Sequence, residues 1–400
     1  MNDLAGKHVL CVWEIGGELG HITRFANLTR VLEALGAQVS VAVKDLSRCH
    51  ALFAGTGARL LQAPVWLPRV TLNRPIACLA DTLLLQGYLE PDTLDALVQA
   101  WDSLFELTQP DLVIYDYAPT ALLASRQRAF RKILVGIGFS DPVPGHPIAD
   151  WRPYPCTDQL VAHQEQRVLG VINTVCDRRG DPPLTRLSDL FSVDATMINT
   201  FPELDLYRDL RPPGSHGHEA DNRQQRDPVT FPPGSSARVV AYLKPRHPQL
   251  APLLEALARC DASVFVAIPG GNPATLDPLV SSTFAYSTQL VALETAIGEA
   301  DLFVGHGNIA STTQSLMAGT PVMILPIQLE QLLTGKRVQE LGLGKLVEKI
   351  DSADQLRACL NDIVSNRRYT DQARDFADSH SLPSLTEEVT AHCMRLLTQG

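Results

Sequence analysis

The chain has 400 residues, of which 45% are hydrophobic and 20% charged, and its formal net charge at pH 7 is −10. That length exceeds one ordinary core and predicts two domains, and the negative charge excludes non-specific attraction to nucleic-acid phosphates. No apolar run reaches the roughly 18 residues needed to cross a bilayer.

In chain order, Lys7–Val12 reads as a first strand and not as a signal peptide. Gly16, Gly17, Gly20 and His21 follow it, then the helical pattern Phe25–Leu35 and the β-branched run Val39–Val43. This is a βαβ unit and implies a parallel sheet. Residues 60–92, with Trp66, Leu84 and Tyr88 among prolines, are extra relative to the second half. An insert of this length is either an apolar substrate pocket or a structural helical addition. Asp111 then opens DLVIYDYAPTALLASRQRAFRKILVGI, a strand, polar turn, helix and strand, with Asp116 just past the first strand. In open α/β sheets that edge holds ligands. Residues 139–155 are loop-like and carry Phe139, Trp151 and Tyr154. Residues 211–237, rich in proline, glycine and charge, predict a linker or mobile loop, whose His216 and His218 make no metal site. The eight cysteines are scattered without a C-x-x-C pair and read as reduced core thiols of a cytoplasmic protein.

The second half repeats the order: strand Val239–Leu243, helix Leu250–Ala258, strand Ser263–Ile268. Asp301 opens DLFVGHGNIASTTQSLMAGTPVMILPI, which aligns without a gap on the segment from Asp111 and sets His306 where Asp116 stands. A helix start presents free N–H groups and the positive end of its dipole, and small residues let an anion approach, so Gly305–Ser311 suits a phosphate. His306, Ser311 and Thr312 would add hydrogen bonds. Alone, such a turn reads equally as glycine used for backbone reasons. After the next strand, however, Glu330 and Gln331 set a carboxylate beside an amide, which suits a hydroxyl-rich ligand. Together they suggest a sugar nucleotide. The expected fold is α/β, with two Rossmann-like, doubly wound parallel-sheet domains facing across a cleft. The expected boundaries are 1–210 for the acceptor domain, 211–237 for the linker, 238–369 for the donor domain and 370–400 for a helical tail.

The stretch HGNIASTTQSLMAGTPVMILPIQLEQLLTGKRVQELGLG (306–344) resembles the donor-binding signature of GT-B glycosyltransferases, nearest to the UDP-glycosyltransferases and the macrolide and glycopeptide glycosyltransferases of the family 1-like group. GELGHITRFANLTRVLEALGAQVSV (17–41), PDLVIYDYAP (110–119) and MINTFPELD (197–205) match in the family's order. The resemblance implies that His306, Gly307, Asn308, Ser311 and Thr312 hold the donor diphosphate with help from Lys244. Gln314 would bind the ribose, Tyr286 and Gln289 the base, and Glu330 and Gln331 the donor sugar. His21 would be the catalytic base and Asp116 its orienting partner. Gly20, Trp66, Leu84, Tyr88, Phe139 and Trp151 would line the acceptor site, and the tail would pack back on the first domain. The sequence departs from the pattern at Gln314, where a glutamate is usual, at Asn308, where a glycine is usual, and in AYLKP (241–245), where a small hydroxyl residue is usual.

The implied activity is inverting, metal-independent transfer of a sugar from a nucleoside diphosphate, UDP favoured and dTDP admitted, to a hydroxyl of a small hydrophobic or aromatic or lipid-linked acceptor. No cofactor, metal or nucleic-acid partner is expected, and peripheral membrane contact is compatible with a lipid-linked acceptor. Alternatives are a non-catalytic sugar-nucleotide-binding paralogue or partner of another transferase, and a sugar-nucleotide epimerase on the same scaffold. A nicotinamide oxidoreductase is disfavoured because Ile15 occupies the first glycine position of the partial Gly17-x-x-Gly20 fingerprint.

Overall fold

Two parallel sheets organise the chain. The first contains β1 (His8–Trp13), β2 (Gln38–Val43), β3 (Arg59–Gln62), β4 (Leu112–Asp116), β5 (Arg131–Gly136), β6 (Ala195–Asn199) and β7 (His216–Gly217), in the order β3-β2-β1-β4-β5-β6-β7. The second contains β8 (Arg238–Tyr242), β9 (Ser263–Ala267), β10 (Phe284–Ser287), β11 (Leu302–Gly305), β12 (Val322–Ile324) and β13 (Gly344–Leu346), in the order β10-β9-β8-β11-β12-β13. The computed structural model describes residues 3–17, 19–152, 157–219 and 226–398, so Tyr154 and part of the expected linker lie outside the described residues.

Both sheets reverse their winding at the same place, between β1 and β4 in one and between β8 and β11 in the other. The carboxyl ends of those strands are therefore the topological switch points where doubly wound sheets take ligands. The internal repeat extends to single hydrogen bonds. Asp111 accepts from the backbone N–H of His8 at 2.8 Å, and Asp301 accepts from that of Arg238 at 2.9 Å. Each aspartate thus fixes the start of the first strand of its sheet.

The chain divides into two units, Met1–Glu219 with Pro383–Gly400, and Ala220–Leu382. The expected boundaries change accordingly. Residues 211–219 are not linker: His216 pairs with Ile198 as the edge strand β7. The buried Asp205 carboxylate accepts from both Arg211 and His216, which draws this stretch into the first unit. Residues 226–237 belong to the second unit, where Asp227 bridges to Val291 and the Ser235 backbone bonds Ser263. The expected tail also divides. Helix Arg367–Ser379 stays with the second unit, and helix Leu385–Thr398 buries Leu385, Val389 and Cys393 in the core of the first. Gly217 admits that return, because a Cβ there would lie 3.1 Å from the Pro383 carbonyl oxygen.

The insert 60–92 is structural at two of the residues expected to line a pocket. Leu84 and Tyr88 are fully buried, and the Tyr88 hydroxyl bonds Thr120. Buried Asp81 holds the preceding loop by accepting two bonds from Arg74 and one from the Ala77 N–H. The described cysteines are free and all but Cys359 are buried. No helix among the described residues is long and apolar enough to cross a membrane.

Asp111→Ala and Asp301→Ala should each lower stability by about 1–2 kcal/mol, the cost of losing a charge-assisted bond to a strand-initiating N–H. Chemical denaturation of the two variants checks this.

Candidate active site

In the first unit, parallel pairing sets Trp13 at the end of β1 beside Asp116 at the end of β4. A turn through Gly16, at φ +92°, leads into helix Leu19–Ala34, whose first turn carries His21. Nδ1 of His21 lies 2.8 Å from Oδ1 of Asp116. An ionised carboxylate only accepts, so in the neutral ring Nδ1 carries the proton and Nε2 keeps its lone pair. Nε2 faces Gly16, where a Cβ would stand 3.1 Å away. The ring stacks on Trp13 with centroids 4.9 Å apart. The His21 side chain is 15% exposed and that of Asp116 only 2%, so the ring is reachable while its partner is sealed.

Arg24, one turn after His21 and 4% exposed, donates from Nη1 to Oδ2 of Asp116 at 2.5 Å. Burial pushes the Asp116 carboxyl up, but Arg24 and His21 outweigh it and hold the group below its ordinary value. Two further contacts fix the loops that carry the pair. Ile15 N–H donates to the Tyr117 carbonyl at 3.1 Å, and buried Glu14 accepts from the N–H groups of Thr120 and Ala121. Burial raises Glu14 to about 7 despite those bonds. Sequence reasoning missed Arg24 and Glu14. The spacing of His21 and Arg24, three apart on one helix face, was the available signal for the first.

Of the residues expected to line an acceptor site, Gly20 is exposed, Trp66 is half-buried against Gly87, and Phe139 is half-buried, stacked on Trp151 at 3.9 Å between centroids. Trp151, like Leu84 and Tyr88, is fully buried and does not line an open surface. These three are core residues, because large apolar side chains beside a sheet gain more by leaving water altogether.

In the second unit, β11 ends in Gly305-His306-Gly307-Asn308, and helix Ile309–Met317 starts at once. Gly307 has φ +89°, and a Cβ there would meet the Gln331 carbonyl oxygen at 2.8 Å. Asn308 occupies the N-cap position, yet its side chain does not cap the helix, because Oδ1 accepts from Gln331 Nε2 at 2.5 Å. The helical ladder begins with Thr312 N–H to the Asn308 carbonyl. The N–H groups of Ile309, Ala310 and Ser311 therefore find no acceptor within the helix.

Three expected donor contacts need correction. His306 is 2% exposed and both ring nitrogens are engaged: Nδ1 donates to the Leu325 carbonyl and Nε2 accepts from the Lys244 backbone N–H, each at 2.9 Å. It has no N–H left for a phosphate and instead ties the ends of β8 and β12. Burial pushes it down to about 4, and it stacks on His247. Gln331 is fully buried, accepting from Ile327 N–H while donating to Asn308, so it does not read sugar hydroxyls. Thr312 is fully buried and its hydroxyl has no hydrogen-bond partner.

The other expected residues lie along the carboxyl edge of this sheet or on the helix that starts there. Ser311 is half-buried with its hydroxyl on the Asn308 carbonyl, and Gln314 is half-buried with an unpartnered Nε2. Glu330 is half-buried in the first turn of helix Leu329–Glu340, and Lys244 is half-buried just after β8. Tyr286 is half-buried on β10 with its hydroxyl on Asp277, and Gln289 is exposed.

Residues 251–396 match the family model of the erythromycin biosynthesis protein CIII-like C-terminal domain. The chain is 26% identical over 215 residues to the zeaxanthin glucosyltransferase of Pseudescherichia vulneris, 52% of each chain. It is 38% identical over 79 residues to the NDP-glycosyltransferase YjiC of Bacillus subtilis, 19% of this chain and 20% of that one. The chain thus spans about half the length of the first of these curated relatives and a fifth of the second. The calicheamicin glycosyltransferase superposes with a TM-score of 0.73 at 16% identity, covering 98% of both chains. A spinosyn rhamnosyltransferase complexed with thymidine diphosphate gives 0.62 at 15% identity, covering 96% of this chain and 99% of that one. The fold is GT-B. Its C-terminal part thus resembles the erythromycin CIII-like C-terminal domain, and the relatives it matches are named as glycosyltransferases.

His306 also yields a pH prediction. Its folded value of about 4 lies below the ordinary 6.5, so the unfolded chain binds more protons between those limits. The stability it contributes is present above pH 6.5 and is lost as pH falls through 4, about 3 kcal/mol in full. His306→Asn should flatten the acid side of a stability-against-pH curve in that window.

Proposed function

We propose that this protein is an inverting glycosyltransferase that moves a sugar from a nucleoside diphosphate to a hydroxyl, with His21 as general base. The observation that carries the reading is the His21–Asp116 bond, with Nδ1 held by a sealed carboxylate and Nε2 left as a lone pair on a reachable ring. The acceptor oxygen forms a bond to the anomeric carbon as the bond from that carbon to the diphosphate oxygen breaks. The acceptor proton passes to Nε2, and the nucleoside diphosphate leaves with the electron pair. Asp116 fixes the tautomer and stabilises the imidazolium, as in hydrolytic triads.

We assign the diphosphate to the N–H groups of Ile309–Ser311, where the helix dipole favours the leaving charge and acts without reorganising. Diversion of Asn308 onto Gln331 keeps the side chain that would ordinarily cap those groups away from them. Lys244, Ser311, Gly307 and Asn308 border that position, Gln314 is assigned to the ribose, Tyr286 and Gln289 to the base, and Glu330 to the sugar hydroxyls. A built-in positive helix end makes a metal unnecessary for departure of the diphosphate. Names among the relatives support both UDP and thymidine diphosphate donors. A hydrophobic hydroxylated acceptor is supported by relatives named for zeaxanthin and sterol. The buried, free cysteines support a cytoplasmic enzyme.

A non-catalytic sugar-nucleotide binder is the second reading, favoured by Gln314 and Asn308, which depart from the donor signature of the glycosyltransferases that the chain resembles. A binder has no use for an oriented base, and that weighs for the transferase.

His21→Ala should lower kcat by about 10²–10⁴-fold with donor affinity unchanged. Mass spectrometry of products from UDP- and dTDP-sugars with hydrophobic alcohols, in EDTA, checks this, and the anomeric configuration of the product reports inversion. Transfer by His21→Ala at the wild-type rate would sink the assignment.

A further inference from the structure

We propose that Arg24 is a positioning residue of this relay: it holds the second oxygen of Asp116 and divides that carboxylate's charge with His21, which leaves the imidazole available to take a proton. The inference rests on the reading of His21 as the base.

The geometry assigns one carboxylate oxygen to each partner, Oδ1 to His21 at 2.8 Å and Oδ2 to Arg24 at 2.5 Å. His21 and Arg24 stand one turn apart on helix Leu19–Ala34, so the two bonds clamp that helix onto β4 and fix the ring plane against Trp13. Arg24 is an expensive choice for a purely structural position. It is 4% exposed, and its Nε is buried without a hydrogen-bond partner. A buried cation with an unsatisfied donor costs stability that an apolar side chain of similar volume would not.

Its electrostatic effect has a definite sign. A sealed carboxylate facing His21 alone would favour a standing ion pair with the imidazolium, and a ring already protonated is no base. Arg24 makes the carboxylate part of a nearly neutral pair, so a proton on His21 gains less from it. Other charged or titratable groups nearby do not replace Arg24. Half-buried Lys44, which donates to the Gly16 carbonyl, carries the same sign but makes no bond to Asp116. Asp141, after β5, acts in the opposite sense on Asp116 and is itself raised by burial, with its carboxylate on the N–H groups of Ile137 and Gly138. The Cys11 thiol on β1 is pushed up by burial and stays protonated.

The test uses the full chain as wild type, Arg24→Gln, Arg24→Lys and Asp116→Asn, with two readouts besides thermal stability. One is the pH profile of kcat/KM. The other is the NMR titration of the His21 ring, assigned by its loss in His21→Ala. Arg24→Gln should move both transitions to higher pH by about one unit, Asp116→Asn should move them to lower pH, and Arg24→Lys should lie close to wild type. The proposal is overturned if Arg24→Gln loses stability but leaves the titration in place, or if Arg24→Lys departs as far as Arg24→Gln. The NMR readout needs no turnover, so a protein that transfers no sugar would defeat the transferase reading while still testing Arg24.

Discussion

Asp116 is a carboxylate with 2% exposure, and a charge so sealed is stable only when its neighbours compensate for lost water. Arg24 and His21 provide that compensation from one helix, and this requirement shapes the region around them. The helix must start early enough to bring its first two turns over β4, which the glycine turn at Gly16 permits. The loop after β4 must stay fixed, which the Glu14 and Ile15 contacts achieve. The same arrangement that makes the buried charge tolerable also orients the imidazole of His21.

The second unit applies the same strand order to a different problem. At the position equivalent to Asp116 stands His306, a neutral ring used as a brace between strand ends. The next polar cluster lies one step along, at the helix that follows. There Gln331 reaches back from the helix after β12 and occupies Asn308, so the residue best suited to close the helix start is held away from it. The helix start keeps its free N–H groups uncapped by engaging one side chain elsewhere, at the cost of burying an amide.

Much of this was legible in the sequence, because the repeat is carried by features with strong physical signatures. The gapless correspondence of the segments from Asp111 and Asp301 became two strands with equivalent neighbours and equivalent aspartate bonds. The pairing of His21 with Asp116 came from the family resemblance, and the adjoining strands β1 and β4 bring the two residues together. What failed was the side-chain direction. His306, Gln331 and Thr312 sit in the expected segment, but spacing does not say whether a polar side chain faces a ligand or the interior. Trp151, Leu84 and Tyr88 failed for a related reason: aromatic and aliphatic residues in an irregular stretch look alike whether they line a pocket or fill a core. The linker misreading at 211–219 came from composition, which could not register that Asp205 draws Arg211 and His216 into the first sheet.

The most direct measurement is calorimetric titration of the purified protein with UDP, dTDP and GDP, in EDTA and again with Mg²⁺. A helix start held open for a diphosphate predicts that one of these nucleotides binds without metal and gains nothing from Mg²⁺. Absence of binding by all three in either condition, or binding that appears only with Mg²⁺, would contradict it.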